Sequence, residues 1–133
     1  MLRNAFISLL SFIAIDSIWL GLISPQFYRT HIGHLMRDQP DFGAALAFYV
    51  LFLIGLNLFV IIPHRDAALK TVATYGAAFG CVTYATFDLT SVAVFKDFPY
   101  LVAGVDLLWG SFLCLSISVI TLKVDRFLKQ RSS

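Results

Sequence analysis

Three aspartates, Asp16, Asp88 and Asp106, lie within long apolar segments that contain no lysine, arginine or glutamate. A charged side chain near the centre of a bilayer costs roughly 2.5–3.5 kcal/mol on insertion scales. These carboxyl groups therefore need a proton, a cation, a hydrogen-bonding partner or a water-filled cavity. Each of them is a candidate functional residue, because groups of this kind can share protons or coordinate a cation.

A tryptophan follows two of these aspartates at the same spacing. Trp19 comes three residues after Asp16, and Trp109 comes three residues after Asp106. On a helix this spacing places each indole on the same face as its aspartate. The indole N–H could then donate a hydrogen bond across a bundle while the ring shields a pocket. Tryptophans near the ends of membrane spans usually form interfacial belts, an alternative that fits Trp19 better than the deeper Trp109. We include both tryptophans in the predicted polar site.

Two tyrosines extend the set of polar groups in apolar segments. Tyr84 stands one helical turn before Asp88, where a phenol could hydrogen-bond a carboxylate, and Tyr49 lies in a different apolar segment. Tyrosine hydroxyls and carboxyl groups could together orient a polar head group. No nucleophile or complete ligand set accompanies them, so the sequence identifies neither a reaction nor a cofactor.

A second group, His31, His34 and Asp38, has spacings of three and four residues. If their segment is helical, the three side chains share one face, and two imidazoles with a carboxylate could bind zinc or a similar ion. Such signatures normally carry a third clear ligand or a positioned glutamate. The favoured interpretation is therefore a pair of solvated histidines, with metal binding as the alternative.

Composition indicates what surrounds these residues. Hydrophobic residues make up 59% of the 133 residues, and all eight acidic residues are aspartate. Soluble proteins are usually about 45–50% apolar, so this composition predicts an integral membrane protein formed by a single domain, residues 1–133. A formal charge of +2 does not favour nucleic acid as a partner, which leaves the lipid bilayer and other membrane proteins.

Four apolar segments are long enough to cross a bilayer as helices. They are residues 5–23, 43–62, 71–94 and 101–122, and the four prolines all fall between them. The predicted fold is an all-α bundle of four transmembrane helices. Residues 24–42, between the first two spans, predict either a short amphipathic helix on the membrane surface or an ordinary loop.

Lysine and arginine are unevenly distributed between the two sides of this bundle. Seven lie on the side of the N-terminus (Arg3, Arg65, Lys70, Lys123, Arg126, Lys129, Arg131) and three on the other (Arg29, Arg37, Lys96). The excess predicts that both termini are cytoplasmic. Asp16, Asp88 and Asp106 then lie roughly 13, 10 and 9 Å below the outer end of their helices, at 1.5 Å per residue. This places them in one layer of the outer half.

Five local motifs occur in a characteristic order along nearly the whole chain. They are Asp16-x-x-Trp19-Leu-Gly21, Phe48-Tyr49, Gly76-Ala-Ala-Phe-Gly80, Tyr84-Ala-Thr-Phe-Asp88-Leu-Thr90 and Asp106-x-x-Trp109-Gly110. In this combination the chain resembles the bacterial membrane-protein family called domain of unknown function 2177. The resemblance implies a small multi-pass protein of the bacterial inner membrane, without an established activity or cofactor, and suggests a connection with lipids.

Three functions remain open at this stage. The carboxylates could serve transport or ion-coupled gating, for which four spans would need a homo-oligomer or a partner protein. They could belong to an enzyme or accessory factor of membrane-lipid modification, with Asp88 and Asp106 as acid and base. Alternatively, they could be purely structural, satisfied by neighbouring helices.

Overall fold

The computed structural model describes residues 2–132, and the regular structure within this range is helical. The helices are α1 (Leu2–Ile18), α2 (Ser24–Ile32), α3 (Phe42–Leu56), α4 (Leu69–Val94) and α5 (Tyr100–Ser132). Short turns extend three of them: a π-helical turn at Trp19–Ile23, a 3-10 turn at Gly33–Leu35 and a second π-helical turn at Asn57–Ile61.

Four helical segments of the described chain are long and apolar enough to cross a membrane, which confirms the four predicted spans. Their bounds are Leu2–Leu35, Phe42–Ile61, Leu69–Val94 and Tyr100–Ser132. The last helix continues well past residue 122, where the predicted span ends. Hydropathy marks the apolar part of a helix, whereas the charged residues after Leu122 can extend the same helix into water.

The first span passes into α2 without a break in helical structure. Pro25 lies in the first turn of α2, directly after the π-helical turn, and donates no backbone hydrogen bond at this junction. The segment 24–42 is therefore helical up to Leu35. Helix α3 begins at Phe42, and Asp41 caps its N-terminus by accepting a hydrogen bond from the Ala44 amide at 3.1 Å. That α2 lies on the membrane surface stays a prediction.

Helices α4 and α5 form the most extensive helix pair. Glycines allow their backbones to approach closely: a Cβ on Gly76 would lie 2.9 Å from the Cys114 carbonyl, and one on Gly80 would overlap the Gly110 backbone. This is the small-residue packing that membrane helices use, because lipid gives apolar side chains no reason to prefer one another. The structure thus gives the Gly76 and Gly80 pair a packing role.

Large apolar side chains lie both inside and outside the bundle. A core of buried residues joins α3, α4 and α5, among them Leu56, Val72, Leu113 and Ile117. Many other apolar side chains face outward, including Leu101 and Leu108 on α5. An exposed apolar surface of this kind fits contact with lipid tails.

Candidate functional site

A cavity of about 410 Å³ lies between the helices and is partly open to the outside of the bundle. We call it the site cavity. Its lining includes all seven residues of the predicted polar site: Asp16, Trp19, Tyr49, Tyr84, Asp88, Asp106 and Trp109. The remaining lining residues are Leu20, Tyr28, Ala45, Phe48, Thr83 and Phe87. Residues that are far apart in the sequence thus meet at one place.

The three carboxyl groups of the site cavity come from three different helices. Asp16 lies near the end of α1, Asp88 in the last third of α4 and Asp106 in the second turn of α5. Their residues are 7%, 1% and 6% exposed, respectively. Asp88 and Asp106 are direct neighbours, side chain to side chain. Two acidic groups in contact inside an apolar bundle cannot both stay charged without compensation.

The two tryptophans stack on each other across the bundle. The ring centroids of Trp19 and Trp109 are 4.5 Å apart, and the ring planes differ by 12°. The indole of Trp109 neighbours Asp16 on the facing helix. Its Nε1 atom is nevertheless buried and lacks a hydrogen-bond partner of normal geometry within residues 2–132. An N–H donor is therefore held inside the bundle beside the cavity.

Tyr28 is a site residue that sequence reasoning missed. It lies on α2, and its hydroxyl donates a hydrogen bond to the Asp106 carboxyl. Its ring also meets Trp19 edge-on, with 6.4 Å between centroids. The sequence pattern of its segment predicts an amphipathic helix. Such a pattern does not show whether the apolar face contacts the membrane surface or packs against the other helices. Helix α2 thus contributes to the site cavity.

Asp88 is the most buried of the three aspartates and the least compensated. Across the described chain, its Oδ1 atom has no hydrogen-bond partner. The bond that the spacing of Tyr84 and Asp88 suggested is not formed among these residues. The Tyr84 ring instead packs on Gly110 and meets Phe52 edge-on, with 6.5 Å between centroids. One oxygen of a buried carboxyl group thus lacks a donor, and the residue that carries it lines the cavity.

The second predicted group, His31, His34 and Asp38, does not come together. Nowhere in residues 2–132 do three His, Cys, Asp or Glu side chains form a group that could hold a metal ion. The His31 Nδ1 atom lies 2.8 Å from the Phe27 carbonyl, and the His34 Nε2 atom lies 3.8 Å from the Asp97 carboxyl. The histidines thus have separate partners.

A second polar cluster, which the sequence did not reveal, lies at the opposite end of the bundle. Asp125 on α5 is 2% exposed and accepts hydrogen bonds from Arg3 on α1, at 2.9 Å from Nε and 2.5 Å from Nη2. The Lys129 Nζ atom lies 3.1 Å from its other carboxyl oxygen. We call this the ion-pair cluster, and it joins the first helix to the last.

Comparisons with known proteins agree with the architecture. A family model described as predicted membrane protein, domain of unknown function 2177 (DUF2177), matches residues 2–123 and so includes every residue of the site cavity. No curated protein and no solved structure matches the chain.

Proposed function

This chain belongs to the DUF2177 family of predicted membrane proteins, and we propose that its site cavity binds a small polar solute or a lipid head group. In this proposal the chain crosses a bacterial inner membrane four times, with both termini in the cytoplasm. The cavity lies in the outer half of the membrane, where a solute from the periplasm or a head group of the outer leaflet can enter it.

The observation that supports this proposal best is the convergence of polar groups on one cavity. Carboxyl groups from α1, α4 and α5 line it. Tyr28 on α2 and Tyr49 on α3 line it as well. Its volume of about 410 Å³ falls in the range of small-molecule sites, roughly 300–1,000 Å³. Such sites are mostly apolar with a few convergent polar groups, as this one is.

Unpaired polar atoms favour binding over a purely structural role. If the carboxyl groups served only to join helices, their buried atoms would be satisfied by neighbouring side chains. Within the described residues, the buried Asp88 Oδ1 atom has no hydrogen-bond partner, and the buried Trp109 Nε1 atom has none of normal geometry, although its indole neighbours Asp16. Both residues line the cavity, so a molecule bound there could engage one more acceptor and one more donor once these side chains turn towards it.

The proposal is tested by filling the cavity without removing any carboxyl group. Ala45 lines the cavity from α3, and a phenylalanine at this position would occupy part of the space. The wild-type protein, extracted gently from membranes, is expected to retain a bound solute or lipid. The Ala45→Phe variant is expected to lose it. Native mass spectrometry of the purified proteins measures the difference.

Ala47 provides a matched control, since it lies two residues away on the same helix, is exposed and does not line the cavity. Ala47→Phe should keep the molecule that the wild type carries. Retention of the same molecule by Ala45→Phe would contradict the proposal, and so would a wild-type protein that carries nothing.

A further inference from the structure

The charge of the site cavity points to the kind of molecule that it takes. We propose that the bound group is a protonated amine, either a free alkylammonium ion or the amine of a lipid head group. This inference rests on the proposed function and specifies its ligand. It follows from the sign of the charge, the aromatic surfaces and the unpaired acceptor.

The cavity lining contains three carboxyl groups, those of Asp16, Asp88 and Asp106. Within the described chain, it contains no lysine, arginine or histidine. An anionic solute would meet three carboxyl groups without a compensating charge. A cation would instead offset the cost of keeping carboxylates in a region of low dielectric. Among head groups, a bare phosphate or a carboxylate is therefore disfavoured, whereas an amine fits.

Aromatic rings form much of the wall. Trp19, Tyr28 and Trp109 make one continuous cluster, with centroid separations of 4.5 Å for the two indoles and 6.4 Å between Trp19 and Tyr28. Ring faces attract cations through their quadrupole, and tryptophan does so most strongly. Aromatic rings recognise ammonium ligands in this way, and a carboxylate adds a charge-assisted hydrogen bond to an ammonium that carries N–H groups. The site cavity contains both components.

The unpaired acceptor indicates that the cation carries N–H groups. Asp88 is 1% exposed, and its Oδ1 atom has no hydrogen-bond partner in residues 2–132. A protonated amine could donate a charge-assisted hydrogen bond to it, which a quaternary ammonium ion could not. Asp106 already accepts from Tyr28 at one oxygen, whereas the buried Oδ1 atom of Asp88 accepts from no described residue.

The spacing of the carboxyl groups disfavours a bare metal ion. Dedicated calcium sites use six to eight oxygen ligands at about 2.3–2.6 Å. No three acidic, histidine or cysteine side chains of the described chain are grouped closely enough to share a metal. An alkylammonium ion needs only one or two carboxylates and fills the rest of the cavity with apolar contacts.

The two tryptophans of the chain both line the cavity, so intrinsic fluorescence reports directly on its occupancy. The experiment titrates the full-length purified protein with ethylammonium chloride, tetramethylammonium chloride, sodium acetate and sodium chloride. Tryptophan fluorescence is expected to change saturably with ethylammonium and less with tetramethylammonium. Sodium acetate is expected to change it no more than sodium chloride does.

Substitutions assign the effect to the unpaired carboxyl group. Asp88→Asn is expected to weaken ethylammonium binding about tenfold or more, since it removes a charged acceptor. Asp106→Asn provides a second variant if Asp88→Asn does not fold, and it is expected to weaken binding as well. Asp66→Asn is the control, because Asp66 is exposed outside the cavity and should bind like the wild type.

Nanodiscs distinguish the two sources of the amine. Ethylammonium affinity is measured in phosphatidylglycerol alone and in phosphatidylglycerol mixed with phosphatidylethanolamine. Competition by phosphatidylethanolamine identifies a lipid head group, and equal affinity in both membranes identifies a free amine.

An acetate response equal to that of ethylammonium, or no saturable ethylammonium response at all, would overturn the inference. If native mass spectrometry finds a cavity-dependent molecule without an amine, the proposed function stands and only this inference fails. If the Ala45→Phe variant retains the same bound molecule as the wild type, the proposed function itself fails.

Discussion

Asp88 and Asp125 are almost equally buried, yet their surroundings are opposite. Asp125 contacts Arg3 and Lys129, so its charge is balanced within the protein. Asp88 lies beside another aspartate, and its Oδ1 atom has neither a hydrogen bond nor an ion pair with a basic side chain among the described residues. Among residues 2–132, basic side chains thus accompany a buried carboxyl group at one end of the bundle only. The contrast separates a cluster that joins helices from one that remains available to a ligand.

Gly80 lies between the two regions and supports both of them. Gly80→Ala should lower the free energy of unfolding by about 2–3 kcal/mol, because the added methyl group would overlap the Gly110 backbone where α4 and α5 cross. Both the site cavity and the ion-pair cluster should then be affected. Unfolding by sodium dodecyl sulfate in mixed micelles, followed by circular dichroism, measures the loss.

Gly104→Ala serves as the control for this change. A Cβ at Gly104, on the same helix as Gly110, meets nothing within 4 Å. Stability should stay the same or rise slightly, since alanine favours helix more than glycine does. Equal losses in the two variants would show that close packing at Gly80 is not the cause.

The two buried aspartates should respond differently to the same substitution. Asp125→Asn should cost about 1–2 kcal/mol, less than for a fully buried pair because Arg3 and Lys129 are partly exposed. Asp88→Asn should cost nothing or stabilise the protein slightly, since it removes an uncompensated buried acid. The same unfolding assay compares the variants. A larger loss for Asp88→Asn would reverse the comparison and indicate a structural role for the site carboxyls.

Loss of the hydrogen bond from Tyr28 should cost the least stability among the substitutions that are expected to destabilise the protein. Tyr28→Phe keeps the ring against Trp19 and removes only the donor to Asp106. The expected loss is about 0.6 kcal/mol, the average for interhelical hydrogen bonds in membranes. Ethylammonium binding, measured by fluorescence, should become tighter or stay equal, because a second acceptor becomes vacant. Strongly weakened binding would show that Tyr28 itself holds the ligand.

Local patterns in the sequence predicted most of the scaffold. Apolar length defined four spans, and helical rise placed Asp16, Asp88 and Asp106 in one layer, which the structure brings to one cavity. These features depend on residues that are close in the sequence. Hydropathy could not show where α5 ends, because a charged helix and a charged loop differ little in composition.

Long-range partners could not be predicted in the same way. Tyr28 and Asp106 are 78 positions apart, and Arg3 and Asp125 are 122 positions apart. Nothing in the residues between them specifies which side chains meet. The vacancy at Asp88 likewise depends on the direction in which the Tyr84 ring turns, and spacing alone leaves that direction open.

The π-helical turn at Trp19–Ile23 sets the rotational phase between α1 and α2. Trp19 and Tyr28 are nine residues apart, and an uninterrupted α-helix would point them about 180° apart. A π-helical turn accommodates roughly one extra residue, which reduces the angle to about 80° and lets both rings reach the same cavity. The loss of one codon within this turn would therefore leave Tyr28 directed towards Asp106, because two rings eight residues apart on an uninterrupted α-helix also differ by about 80°.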